Sequence, residues 1–451
     1  MYLLYDLLLA LALLISFPYW LIRLLRQGKY RAGIGQRLGA VPPQVRALAA
    51  TPPQRANNGL VGDPAGKPLI WVHAVSVGES LAIAGLVQQM RARFAGCTIA
   101  ISSTTATGHA LASARFGAEN VFYLPLDLRF AVGRYVRLLR PRLVVLAETE
   151  FWPNFLRAAR QCGARVAVVN ARISDRSYPR YRRFSFLLRR VLRNVDSFLA
   201  QSEEDAQRLK AIGAEGQRVR LAGNLKFDAA TATASEGLKQ LQARVHETAA
   251  GPIVVFGSTV EGEEALLIEG FRRLIESHPR GIIVLAPRHK ERFEAVAGLL
   301  RAAGIRYARR SDPHWPRNLE AGEVLLLDTI GELAAIYGLA CVAFVGGSLA
   351  PRGGHNILEP AGFAIPTLVG PHTENFRDIV RKFESAGGVL VVRDENELLS
   401  TMLRLLADPA ERKQLGDRAY SILRENQGAT ERTLAELEKL LSPPLQRGKR
   451  L

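Results

Sequence analysis

The feature that most constrains the fold is an alternation of short apolar runs with longer helical patterns, repeated in both halves of the 451-residue chain. Near-continuous apolar runs indicate strands that are buried on both faces, as in parallel sheets. They lie at 69–73, 98–102, 143–147, 165–170 and 197–202, and then at 252–258, 281–287, 323–328, 341–347, 366–370 and 388–392. Helical segments such as 81–94 separate them, which is typical of βαβ units. We therefore predict two doubly wound α/β domains.

The alternation lapses between the two halves, where the sequence becomes polar and rich in alanine. We predict a first Rossmann-like domain over 26–223, a linker over 224–250, and a second Rossmann-like domain over 251–441. The second domain ends in a long helical stretch, and a basic tail follows at 442–451. Ligands in such sheets bind beyond the carboxyl ends of the strands, so we expect two facing sheets to form one central cleft.

The N-terminus is an apolar segment. Residues 3–22 are interrupted only by Asp6 and Pro18, and such a length can just cross a bilayer core of about 30 Å. Basic residues follow, with no acidic residue between Asp6 and Asp63, which favours a cytoplasmic C-terminal side. A signal peptide would carry its positive charges before the apolar run. We predict an uncleaved single-pass membrane anchor at residues 1–25, and a monotopic hairpin or a helix on the membrane surface is the alternative.

The net charge of +18 calls for an anionic partner, such as nucleic acid, a membrane or a phosphorylated substrate. The stretch 174–194 contains seven arginines and one acidic residue, interleaved with aromatic side chains. This pattern suits anionic lipid head groups, and the alternative is a solvated helix that packs its aromatics into its own domain. We expect no nucleic-acid partner, because no nucleic-acid-binding motif accompanies the charge.

Several common kinds of site are missing from the sequence. It contains no Walker A motif, no GxGxxG after the first predicted strand, and no HExxH or other paired spacing among its eight histidines. Neither a metal nor a dinucleotide cofactor is therefore indicated. Three cysteines, far apart and odd in number, favour a reducing compartment over a disulfide framework.

Charged side chains follow predicted strands in the first half. Glu79 stands at a helix start, where we expect a low pKa and an ionised carboxylate that can accept a proton; the alternative is a helix cap. Glu148 and Glu150, two residues apart at a strand end, would lie on one face, and an ion-pair cluster is the alternative. Lys226, in GNLKFD, lies near the domain junction.

The second half has a matching segment, CVAFVGGSLAPRGGHNILEPAG at 341–362, with four glycines between a predicted strand and a helix. Glycines allow a ligand to approach the backbone, and a helix starting near Asn356 would direct free N–H groups at a phosphate. Glu359 would then accept from a ribose hydroxyl. Arg288 ends another predicted strand, where its guanidinium could hold a phosphate through two hydrogen bonds. The alternative is a turn whose glycines only satisfy backbone geometry.

Together these motifs resemble those of the 3-deoxy-D-manno-octulosonic acid (Kdo) transferases of lipopolysaccharide assembly. The matching segments are HAVSVGE, LPLD, ETEFWPN, NARISDRS, GNLKFD, PRHKER, DTIGEL and FVGGSLAPRGGHNILEP. The resemblance implies a GT-B type of fold, two Rossmann-like domains facing a central cleft. It also implies CMP-Kdo as donor, a lipid A precursor (lipid IVA) as acceptor, and inverting transfer without a metal or cofactor. The expected location is the cytoplasmic face of the inner membrane.

The resemblance also implies roles for individual residues. Glu79 matches the general base, and Glu148 and Lys226 match transition-state stabilisers. The segments that match the CMP-binding ones are Pro287 and Arg288; Ile330, Gly331 and Glu332; and Asn356, Ile357, Leu358 and Glu359. Ile357 stands where many relatives have proline, a change that should not disturb a helix start. The resemblance does not imply how many Kdo residues are added to the acceptor, because the family includes mono-, bi- and multifunctional members.

Two other kinds of function stay open at this point. One is another GT-B enzyme, either a glycosyltransferase with a different donor or a sugar-nucleotide epimerase, although an epimerase would need no membrane anchor. The other is a non-enzymatic membrane tether that uses its basic face. A tether would not need carboxylates and glycines at strand ends in both halves.

Overall fold

The structure, a computed structural model, describes residues 2–27, 33–49, 67–230, 251–312, 319–320 and 322–442, with only the backbone described for residues 20–27. The chain divides into two compact units, Met1–Ala229 with Gln427–Leu451, and Ala230–Asn426. Residues 231–250 of the predicted linker and residues 443–451 of the predicted basic tail lie outside the described residues.

The first unit is built on a parallel sheet that has seven strands over its described residues. The strands are β1 (Leu69–Ala74), β2 (Thr98–Ser103), β3 (Val121–Tyr123), β4 (Leu143–Ala147), β5 (Arg165–Ala171), β6 (Ser197–Ala200) and β7 (Val219–Leu221). Their order across the sheet is β3-β2-β1-β4-β5-β6-β7. The helices are α1 (Tyr2–Gln27), α2 (Ile34–Arg37), α3 (Pro43–Ala49), α4 (Val77–Ala82), α5 (Ala84–Arg93), α6 (Ala106–Phe116), α7 (Arg129–Leu139), α8 (Pro153–Gln161), α9 (Tyr178–Arg183), α10 (Ser185–Leu192) and α11 (Glu203–Ala211).

The central strand β1 shows why the apolar runs are continuous. Leu69 and Trp71 face one hydrophobic cluster, while Ile70 and Val72 face another on the opposite side of the sheet. Trp71 is fully buried, and its ring lies 4.7 Å from that of Phe155 in α8. Helices therefore cover both faces, and every side chain of the strand is buried.

The second unit repeats the design with another parallel sheet of seven strands over the residues described. These are β8 (Ile253–Thr259), β9 (Ile282–Pro287), β10 (Tyr307–Arg309), β11 (Val324–Leu326), β12 (Val342–Val345), β13 (Thr367–Val369) and β14 (Leu390–Val391), ordered β10-β11-β9-β8-β12-β13-β14. The helices that follow β8 are α12 (Glu264–Ser277), α13 (Phe293–Ala302), α14 (Leu333–Ile336), α15 (Leu358–Ala361), α16 (Arg377–Ser385), α17 (Glu395–Ala407), α18 (Pro409–Asn426) and α19 (Ala429–Leu441).

The last helix, α19, belongs to the first unit, which differs from the predicted boundary at 441. Leu434 and Leu437 join a hydrophobic cluster of the first sheet. Asp228 caps this helix across 200 residues of sequence: its Oδ1 accepts from Gly428 N at 2.7 Å and its Oδ2 from Thr430 N at 2.5 Å. The C-terminal helix α19 therefore packs on the first sheet and forms part of the first unit, although it follows the second unit in sequence.

All eleven predicted strands are confirmed, with ends that differ by a few residues. The sequence pattern missed β3, β7 and β10, each three residues long. β7 (VRL) and β10 (YAR) each contain an arginine, so neither shows a continuous apolar run.

The N-terminal helix is held to the first unit at its start. Tyr2–Tyr19 is long and apolar enough to cross a membrane, with a mean hydropathy of 1.8 and none of that stretch buried. Even so, the Tyr5 hydroxyl donates to Asp127 Oδ2 at 2.9 Å, and Asn154 Nδ2 donates to Asp6 Oδ1 at 2.6 Å. Asp6, the polar interruption of the apolar segment, therefore has a partner on α8.

Candidate active site

The first sheet reverses its strand order between β1 and β4, which are neighbours in the sheet although β2 and β3 lie between them in the chain. A reversal of this kind leaves an open crevice beyond the carboxyl ends of the two strands, where ligands bind. Glu79 lies in α4, just after β1, and Glu148 directly follows β4. The topology therefore brings together two carboxylates that are 69 positions apart in sequence.

Glu79 caps the helix that carries it. Its Oε2 accepts from Val75 N at 2.7 Å and its Oε1 from the Ser76 hydroxyl at 3.0 Å, while Ser76 Oγ accepts from Glu79 N at 3.3 Å. Its pKa is raised to about 7. Burial is the largest cause and the charges of Glu148 and Glu150 add to it, while the hydrogen bonds from Val75 and Ser76 oppose the shift. The expectation of a low pKa was wrong, because burial beside two carboxylates outweighs the helix start. A carboxylate with a pKa near 7 is well suited to act as a general base.

Glu148 has an unusual backbone. Its φ of +57° is in the left-handed region, which is rare for residues other than glycine and is found preferentially at functional sites. Its amide N donates to Val169 O of β5 at 2.9 Å. Burial raises the pKa of its carboxyl, whereas the positive charges of Lys226 and Arg172 oppose that shift. Lys226 thus lies close enough to Glu148 for its charge to affect that carboxyl.

Two further polar groups at these strand ends were missed from the sequence. His73, on β1, is fully buried and its pKa is lowered to about 4 by burial, so its ring is neutral. Asn170, on β5, accepts from Leu225 N at 3.0 Å, next to Lys226. Among the buried polar atoms of the described residues that lack a hydrogen-bond partner are His73 Nε2 and Asn170 Nδ2, and both are therefore available to a ligand. The sequence signal that could have identified them is that each is the single polar residue near the end of a predicted apolar strand, 69–73 for His73 and 165–170 for Asn170.

The second sheet has the same reversal between β8 and β12. Pro287 is the last residue of the neighbouring strand β9, and Arg288 follows it with an exposed side chain. The amide N of Arg288 donates to Thr259 O at 2.8 Å, which fixes the start of this loop. The guanidinium is therefore presented at the carboxyl end of the sheet.

The segment from Asn356 to Glu359 contains the start of a short helix. Helix α15 begins at Leu358, two residues after the predicted start near Asn356, and is four residues long. Asn356 Oδ1 accepts from Leu358 N at 3.1 Å, and its Nδ2 donates to Glu359 Oε1 at 3.1 Å. The side chains of Ile357 and Leu358 are buried in the core. Of the four predicted residues, Asn356 and Glu359 therefore retain side chains that can reach a ligand.

Arg288 and Glu359 are electrostatic neighbours. Burial raises the pKa of the Glu359 carboxyl, and the charge of Arg288 opposes this shift. His355, which was not predicted, belongs to the same cluster. Its pKa is lowered to about 4. Burial is the largest cause of this shift, and the electrostatic effects of Arg288 and His289 lower the pKa in the same direction. A neutral imidazole beside the Arg288 guanidinium is suited to an anionic ligand.

The third predicted nucleotide-binding segment follows β11. Ile330 is 60% exposed, and Gly331 has a φ of +95°, which its lack of a side chain permits. Glu332 accepts from Arg310 Nη2 at 2.8 Å and from the Thr329 hydroxyl. The ion pair between Arg310 and Glu332 therefore fixes this segment within the second unit, and the exposed apolar side chain of Ile330 lies at the surface of the loop.

Comparison with known proteins identifies the family. The family model described as 3-Deoxy-D-manno-octulosonic-acid transferase (kdotransferase) matches residues 33–229. A 3-deoxy-D-manno-octulosonic acid transferase from Bordetella pertussis is 40% identical over 409 residues, 86% of this chain and 91% of that protein. The chain belongs to the Kdo transferase family.

Other comparisons agree with that assignment and with the fold. The Kdo transferase of Haemophilus influenzae is 36% identical over 84% of this chain and 87% of its own length. The structure of a putative UDP-N-acetylglucosamine 2-epimerase from Listeria monocytogenes superimposes with a TM-score of 0.56 at 14% identity, covering 83% of this chain and 96% of that chain. Such a likeness indicates the GT-B-like fold alone. The chain is thus a glycosyltransferase of α/β architecture that takes part in Kdo transfer.

Proposed function

We propose that this Kdo transferase moves Kdo from CMP-Kdo to a lipid A precursor, lipid IVA, with inversion and without a metal or cofactor. The observation that carries the proposal is the proximity of Glu79 and Glu148 at the β1/β4 switch point, with the charge of Lys226 acting on Glu148. A base with a pKa near 7 beside a second carboxylate and a lysine is a suitable arrangement for activating a hydroxyl. The number of transfers is not part of the proposal.

In the proposed step, Glu79 takes the proton of an acceptor hydroxyl as its oxygen forms a bond to the anomeric carbon of Kdo. The bond between that carbon and the phosphate oxygen breaks, and CMP leaves with the electron pair. Attack from the face opposite the leaving group inverts the anomeric centre. Arg288 would balance the phosphate charge, which makes a metal unnecessary for that purpose. Glu359 would accept from a ribose hydroxyl.

The proposal is tested by mixing the full-length protein with CMP-Kdo and lipid IVA and measuring CMP release together with the mass of the lipid product. We expect both, in equal amounts, in the presence of EDTA. CMP release without lipid modification would indicate hydrolysis. A different product sugar would favour another GT-B glycosyltransferase, and interconversion of a sugar nucleotide without acceptor would favour an epimerase.

Arg288→Lys is expected to raise the KM for CMP-Kdo about tenfold or more, because a point ammonium cannot replace a two-pronged guanidinium contact with phosphate. The control is Arg273→Lys, on the exposed face of α12, which should leave the KM unchanged. Steady-state kinetics with varied CMP-Kdo measure both. Near-normal donor kinetics for Arg288→Lys would place this arginine outside the donor site.

The N-terminal helix and the stretch 174–194 provide the proposed contact with an anionic membrane on the cytoplasmic side. Phe184 and Phe186 are 47% and 69% exposed beside the arginines of α9 and α10, whereas Tyr178 and Tyr181 pack against the hydrophobic core. The stretch therefore combines the two arrangements considered from sequence: some aromatics are structural and others are available to lipid.

Contacts at the start of the helix, made to the same unit into which the chain continues, favour the surface arrangement over a single-pass anchor. Asn194 Nδ2 donates to the Tyr2 hydroxyl at 3.1 Å, and the Tyr5 hydroxyl donates to Asp127 Oδ2 at 2.9 Å. Both contacts are within the first unit. A helix that crossed the bilayer would separate its ends by about 30 Å of hydrocarbon. We therefore propose that the helix lies along the membrane surface with its apolar side chains in the lipid.

Deletion of residues 1–25 is expected to release the protein from phosphatidylglycerol vesicles only in part at low salt, because the basic surface at 174–194 remains. Raising the salt concentration should complete the release, since screening weakens contacts between exposed charges. Vesicle sedimentation measures both steps. A truncated protein that stays in solution at low salt would show that the 174–194 surface does not bind lipid.

A further inference from the structure

Glu263 is a fully buried carboxylate at the switch point of the second sheet, between β8 and α12. Its side chain reaches the glycine-rich loop that follows β12, which we define as residues 346–350. Its two oxygens accept hydrogen bonds from five backbone N–H groups. Oε2 accepts from Val260 at 3.3 Å and Gly347 at 2.7 Å, and Oε1 accepts from Ser348 at 2.8 Å, Leu349 at 2.7 Å and Ala350 at 3.1 Å.

All five partners are donors, which matches an ionised carboxylate, a group that only accepts. Successive backbone N–H groups curled around one point are the arrangement with which loops bind phosphate. Here the protein's own carboxylate occupies that position. The N–H groups from Gly347 to Ala350 are therefore already committed, and the glycine-rich loop does not have them free for a nucleotide phosphate, contrary to the expectation from sequence.

The first two glycines of the loop are explained by the same packing. A Cβ at Gly346 would lie 2.8 Å from Ser258 O and 2.9 Å from Glu263 Oε2, closer than real Cβ atoms approach. Gly347 has a φ of +69°, and a Cβ there would lie 2.7 Å from His355 Nε2. The glycines thus allow the loop to close around Glu263 on one side and to contact His355 on the other.

We propose that Glu263 is a positioning residue for donor binding. It holds the loop 346–350 in one conformation, and the loop in turn sets the residues that face the donor. Gly347 makes this connection, because its carbonyl accepts from Gly354 N at 2.7 Å and a side chain in its place would meet the His355 ring. The donor phosphate is then held by side chains, with Arg288 foremost, and not by the loop backbone. This inference rests on the proposed function, in which His355, Asn356 and Glu359 lie at the donor site.

The first test is Glu263→Gln, which places an amide NH₂ against backbone N–H donors and removes the charge. We expect the KM for CMP-Kdo to rise on the order of tenfold or more, with a smaller change in kcat at saturating donor. Glu264→Gln is the matched control: Glu264 is the adjacent residue and equally buried, but it pairs with Arg292 at 2.6 Å. Its KM should stay within about twofold of wild type. Equal increases in both variants, or no increase in the first, would overturn the proposal.

The second test uses the unaltered protein and does not depend on how a variant folds. Hydrogen exchange is measured at the amides of residues 347–350 with and without CMP. We expect strong protection in the free protein and no further protection with CMP. Rapid exchange that is slowed only by CMP would assign these amides to the phosphate and overturn the proposal. If the wild type does not transfer Kdo, the proposed function fails, whereas protection of these amides in the free protein still reports on Glu263.

Discussion

Glu79→Gln is expected to lower kcat by ~10²–10⁴-fold, the range typical for loss of a general base. The amide keeps the size of the side chain and can still accept from Val75 N at the helix start, so the fold should be preserved. The KM for CMP-Kdo should stay close to wild type, because Arg288 and Glu359 belong to the other unit. Steady-state kinetics and circular dichroism of the variant test these expectations.

The pH profile provides a second readout for Glu79. Because its folded-state pKa is raised to about 7, the base is protonated below that pH and kcat should rise as the pH increases through about 7. In Glu79→Gln this rise should disappear from the residual activity. A variant that keeps more than about a tenth of the wild-type kcat, less than the range for a general base, would leave Glu79 as a helix cap. Glu148 and Glu150 would then be the candidate bases.

Lys226→Met is expected to lower kcat by ~10²–10³-fold, as for removal of one group that stabilises a charged transition state. The change removes the positive charge that opposes the raised pKa of Glu148, so the pKa of that carboxyl should rise further. The part of the pH profile that reports ionisation of Glu148, distinct from the rise that Glu79 sets near pH 7, should therefore move to higher pH. Rates measured across a pH series test both effects.

Lys210→Met is the matched control for this experiment. Lys210 lies on α11 with an exposed side chain, in the same unit as Lys226. We expect its kcat and pH profile to match the wild type. If Lys226→Met loses activity without any change in the pH profile, Lys226 acts independently of Glu148, and the assignment of the two residues to one stabilising group is wrong.

The two sheets were predictable from sequence because a strand covered by helices on both faces must be apolar along its length. Leu143 to Ala147 is such a run, and all five residues are buried. The candidate site was partly predictable for a related reason. Glu148 is the first polar residue after that run, so its place at the carboxyl end of the sheet follows from the length of the strand.

Tertiary structure alone decided the chemical state of these groups and their partners. The pKa of Glu79 depends on burial and on Glu148, a residue that reaches it only through the strand order. The five N–H groups around Glu263 come from segments more than 80 residues apart. The sequence determined which residues end strands, because strand periodicity is local. It did not determine what those residues bind, because hydrogen bonds and charge interactions form between segments that only the folded chain brings together.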